Sequence, residues 1–201
     1  MKKVDVAVIE ALTETLNKSI QQYRTSMGSE AENINLFKMN FIKKFSDDVV
    51  FLNDLSGDAD FYHRYGYLIM LNMLEQLIEF LYVKKNPHLV DEYLGLKIDL
   101  NALQIKHSPV DGERVFGEKR YLENRPHIAK MAKDIGELKA ADGALSLYDV
   151  YCILSEKCHN SYFDSLLKDF NSAGFGMPII GLTDEHMTLL YAMTAVVFAE
   201  Y

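Results

Sequence analysis

The chain has 201 residues, a formal net charge of −8, 49% apolar residues and 25% charged residues. A chain of this length can bury about 70% of its unfolded surface, so one domain can hold a core without disulfides or a metal. The composition excludes a disordered or low-complexity chain, and the acidic balance opposes broad binding to phosphate backbones.

The first segment, MKKVDVAVIEALTET, opens with two lysines, as a secretory signal does. Asp5, Glu10 and Glu14 interrupt any apolar run, so it reads as an amphipathic helix. Val4, Val8, Ile9, Leu12, Leu16 and Ile20 make its stripe over 4–26, and Gly28 suits a left-handed cap. Ser29, Glu30 and Glu32 suit the positive end of a second helix, which runs to about residue 54. Ile34, Leu36, Phe37, Phe41, Ile42, Phe45, Val49, Val50 and Leu52 are expected to face inward on it, and Ser56-Gly57-Asp58 reads as the break.

Segment 60–85 is the most apolar helix. Between Tyr65 and Val83, Asn72, Glu75, Gln76 and Glu79 fall at i, i+3, i+4 and i+7, one narrow polar stripe on an apolar cylinder. A membrane span would bury both glutamates at about 2.5 kcal/mol or more each, so no membrane role is expected. Such a helix is the centre of a bundle. Lys84 and Lys85 complement its C-terminal dipole, and Pro87 stops it.

Helical pieces follow over 88–106, then a turn at Ser108-Pro109-Val110-Asp111-Gly112. Segment 113–140 is more polar, and Pro126 either breaks it or opens a new helix. Its stretch 113–133 carries Arg114, Lys119, Arg120, Arg125, Lys130 and Lys133 against Glu113, Glu118 and Glu123. Ser146-x-x-Asp149 opens a helix over 146–170 like a capping box. The glycine-rich segment 171–182 reads as a loop, and Thr183 caps a last apolar helix. No run reads as a series of strands. The expected fold is all-α, a single domain of about six to eight helices, with 1–56 as an N-terminal helical pair and 60–201 as the bundle core.

Cys152 and Cys158 are six residues apart, a turn of roughly 240° on a helix, so they cannot bridge each other. C-x5-C is not a zinc spacing, and two free thiols fit a reducing cytoplasm. There is no P-loop, dinucleotide fingerprint, H-E-x-x-H or G-x-S-x-G, and no cofactor or metal is implied.

Two polar spots are candidate sites. Arg64 and Glu75 lie within about 20° on one helical face, three turns apart, with Tyr82 beyond them. A carboxylate on so apolar a helix needs a donor, either structural or from a ligand. Ser155, Glu156 and His159 can share one polar face of the later helix, where a histidine could move a proton near neutral pH or cap the helix end.

R-(x10)-E-(x6)-Y and Y-x-x-L-S-x-x-x-H are here Arg64, Glu75, Tyr82, Tyr151, Leu154, Ser155 and His159. Together they resemble a group of bacterial all-helical proteins related to the HEPN superfamily. That resemblance covers about 60–200. It implies a four-helix core that often dimerises and, in many members, a metal-independent ribonuclease of a stress or defence system. The family's Arg-(x4–6)-His signature would place His159 as the histidine. Its arginine would fall at Cys152, Ile153 or Leu154, so the resemblance implies a divergent or inactive relative. Arg120-(x6)-His127 has the bare spacing, but Pro126 opposes a continuous helix there.

Three functions follow as expectations. In the first, an RNA- or nucleotide-directed protein uses His159 and Glu75 as acid–base residues, with Arg64, Tyr82, Ser155 and Glu156 binding substrate. In the second, a non-catalytic module binds a protein partner or forms a homodimer. In the third, a small ligand sits between the central and last helices.

Overall fold

The computed structural model describes residues 3–55, 59–94, 105–107, 114–116, 126–140, 143–159 and 184–201. The fold is an all-α bundle with two short hairpins. Among the described residues the α-helices are α1 (Val6–Ser26), α2 (Glu32–Leu55), α3 (Ala59–Lys85), α4 (Val90–Tyr93), α5 (Ile128–Ile135), α6 (Leu147–His159) and α7 (Asp184–Glu200).

Local chemistry sets the boundaries. Asp5 caps α1, its carboxylate accepting from the Ala7 N–H at 3.0 Å. Gly28 has φ +77 and turns the chain into α2. That helix begins at Glu32, later than the serine suggests, because Ser29 Oγ accepts from the Ala31 N–H in a local turn. The Glu32 carboxylate reaches back to the Gly28 N–H at 2.7 Å. A Cβ at Gly28 would meet nothing within 4 Å, so Gly28→Ala pays only for the backbone. The expected loss is about 1 kcal/mol in a urea unfolding curve.

Helix α3 occupies the centre, packing on α2, α5, α6 and α7, while α1 packs on α2. Met70, Met73, Leu74, Leu77, Ile78, Phe80 and Val83 are all but inaccessible on it. One core cluster runs from Val4 through α2 and α3 to Val197 on α7. Tyr65–Lys85 is long and apolar enough to cross a membrane, and half of its apolar stretch is buried inside the bundle.

Polar contacts tie the helix ends together. Lys85 Nζ donates to the Ile135 carbonyl at 2.8 Å, satisfying the last turn of α5. Lys84 pairs with Glu200 at the end of α7. Ser146 Oγ accepts from the Asp149 N–H at 3.2 Å, so the expected cap of α6 forms. α5 starts just after Pro126, with His127 as its N-cap residue.

The two hairpins correct the expectation of no strands. β1 (Ile105–His107) pairs antiparallel with β2 (Arg114–Phe116), so Ile105 is in a strand and not in a helical piece. β3 (Glu137–Ala140) pairs with β4 (Gly143–Ser146), Ala140 opposite Gly143. Strands of three or four residues are too short for alternation to register. The turn at 108–112, the break at 56–58 and the loop at 171–182 lie outside the described residues, as does most of the basic stretch 113–133.

Candidate functional site

The polar stripe of α3 divides between two neighbours. Each residue on a helix advances about 100°, so Glu75 and Gln76 flank the stripe on opposite edges. Gln76 turns toward α2, and its Nε2 donates to Asp48 Oδ2 at 3.0 Å. Asn72 Nδ2 donates to the same oxygen at 3.4 Å. Burial pushes the Asp48 carboxyl up, opposed by the Gln76 hydrogen bond and more distantly by Lys44.

Glu75 turns toward α6. Its charge raises the Tyr151 phenol and the Cys158 thiol, each already pushed up by burial. Burial also raises the Glu75 carboxyl itself. No described residue hydrogen-bonds Glu75 or forms an ion pair with it. Ser155, one turn after Tyr151, partly offsets the rise of the phenol. The α3–α6 contact therefore assembles Glu75, Tyr151, Ser155 and Cys158.

The other candidates sit differently. Tyr82 is half-buried two turns beyond Glu75, where it acts on Tyr93 and Lys130 near α5. Glu156 is exposed on α6. Arg64 lies on α3 and His159 ends α6, but both side chains are outside the described part. Of the basic stretch, Lys130 pairs with Asp134 at 2.8 Å, and Lys133 lies 4.1 Å from the centre of the Tyr148 ring. Both described cations are thus engaged locally. Cys152 and Cys158 are free thiols.

Sequence reasoning passed over Asp48, Tyr151 and Cys158 as site residues. Asp48 was detectable, because it falls seven residues after Phe41 and three after Phe45, on the inward stripe of α2. Tyr151 and Cys158 share a helical spacing with Leu147 and Leu154 that marks an apolar stripe, and nothing in that spacing names the carboxylate that faces them.

Between its two edges α3 keeps an accessible strip. Leu68 is 56% exposed and Tyr65 36%, about two and about three turns before Glu75 on the same side. The strip therefore runs from an apolar end to an acidic one, bordered by Asp48 on α2 and by Tyr151 on α6. No protein-family model, curated protein or solved structure matches this chain.

Proposed function

We propose that this protein is a non-catalytic helical module that binds a protein partner along the α3 strip, taking an amphipathic segment that bears lysine or arginine. One observation carries this reading: Glu75 is half-buried, desolvated and without a described hydrogen-bond or ion-pair partner. A carboxylate in that state is stabilised by any cationic donor that reaches it. The net charge of −8 steers such a segment toward the surface, and the exposed Leu68 and Tyr65 supply apolar contact beside the acid.

The test is a titration with a synthetic amphipathic lysine/leucine helix, followed by backbone amide shifts. The shifts are expected at Leu68, Glu75, Tyr151 and Ser155. Glu75→Lys should weaken binding about tenfold or more, roughly 1.4 kcal/mol. Unchanged affinity in that variant, or shifts confined to other helices, would sink the reading.

A second reading rests on the α3–α6 contact, which sets Glu75 against the helix that carries Ser155 and His159. In it the chain is a divergent HEPN-like, metal-independent ribonuclease of a bacterial stress or defence system, and Glu75 and His159 exchange protons with the substrate. Cleavage of an RNA oligonucleotide by the purified chain, abolished in His159→Ala, would establish this activity and displace the first reading.

A further inference from the structure

The Asp48–Gln76 contact between α2 and α3 contains an imbalance that a proton resolves. Gln76 is only 9% exposed, and its Oε1 is buried without a hydrogen-bond partner. Its Nε2 is spent on Asp48 Oδ2, and Asn72 Nδ2 donates to that same oxygen. Asp48 Oδ1 receives no hydrogen bond from any described residue. An ionised carboxylate only accepts, so it offers nothing to Gln76 Oε1. A carboxylic acid can both accept from an amide N–H and donate to the carbonyl of the same amide.

We propose that Asp48 takes a proton on Oδ1 and closes a two-point acid–amide ring with Gln76, forming a pH-sensitive clasp between α2 and α3. In the closed ring Gln76 Nε2 donates to Asp48 Oδ2, and Asp48 Oδ1–H donates to Gln76 Oε1. The proton comes from solvent and returns to it when the pH rises. Every polar atom that the buried amide presents then has a partner.

The surroundings favour the protonated form. Burial opposes the charge on Asp48, and Asp47 adds like-charge repulsion from the same helix. Lys44 on α2 favours ionisation, but only through space. From α3 the facing groups are the neutral amides of Asn72 and Gln76. A group whose folded-state value is raised stabilises the fold below its ordinary value, about 4 for an aspartate. That stabilisation is lost as pH rises through the folded-state value.

The decisive measurement is a carbon-detected NMR titration of the Asp48 side-chain carboxyl in the full chain. The midpoint is expected above the ordinary aspartate value, and the Gln76 side-chain amide signals should shift with the same midpoint. Asp48→Asn keeps an amide–amide ring without a titrating group. Its unfolding midpoint in urea should therefore change less between about pH 4 and about pH 8 than that of the unaltered chain. A carboxyl midpoint at or below the ordinary value overturns the proposal, as does a Gln76 signal that ignores the titration. The NMR arm uses the unaltered protein, so the proposal stays falsifiable if Asp48→Asn fails to fold.

Discussion

Phe80→Ala is expected to remove about 3–5 kcal/mol of folding stability, the range for deleting a large buried aromatic side chain. Phe80 is 1% exposed on the central helix. It stacks on Phe41 of α2 with centroids 4.2 Å apart and planes within 8°. Tyr201, just past α7, stacks on it at 5.6 Å, and Phe37 lies at 6.1 Å. The Tyr201 hydroxyl also donates to the Lys38 carbonyl, so the stack is anchored at its rim. Removing the ring takes packing from α2, α3 and Tyr201 at once, and a bundle held at three sides can collapse only partly into the space. Urea unfolding reads the loss as a lower midpoint at unchanged slope. Phe80→Leu, which refills much of the volume, should lose less. A cost for the alanine variant below about 1 kcal/mol would mean that the stack does not join α2, α3 and Tyr201 as described.

Glu75→Gln is expected to act in the opposite direction, stabilising the fold by about 1 kcal/mol near neutral pH. The Glu75 carboxyl is raised by burial, with no described partner to offset it. The folded state therefore binds the proton more tightly than the unfolded state, whose glutamate titrates near about 4.3. Below that value the raised group's contribution is fully present, and the glutamine variant gains nothing. As pH rises through the folded-state value that contribution is lost, and the variant's advantage grows to its full size. The gain stays modest because the carboxyl keeps part of its hydration. Unfolding curves at about pH 4 and about pH 7 check this, and equal stability of the two proteins at both would refute it. A residue that lowers stability where a neutral isostere would not is a candidate for function. The same substitution should then weaken binding of the lysine-bearing helix, so stability and affinity would move in opposite directions.

Much of this architecture is readable from residue spacing. The stripe of α1, the inward phenylalanines of α2 and the apolar cylinder of α3 follow from period, and the observed bounds Val6–Ser26 and Ala59–Lys85 lie within two residues of the expected ones. Gly28 and Ser146 act as their side chains and backbone preferences dictate, because caps and turns are local chemistry. The start of α2 and the two short hairpins departed from expectation. In each case a few hydrogen bonds outweighed a propensity signal.

The site was legible in part. Glu75 and Ser155 stand out as polar residues on apolar helices, and Asp48 could have been found on the inward face of α2. Their pairing was another matter. Asn72, Glu75, Gln76 and Glu79 look like one stripe in the sequence, yet α2 takes the Asn72–Gln76 edge and α6 the Glu75 edge. Periodicity identifies which face of a helix avoids water, because that depends on neighbours within two turns. Which helix covers that face, and which carboxylate is thereby left without a donor, depends on residues up to 83 positions away. Only packing of the whole chain brings Cys158 to Glu75.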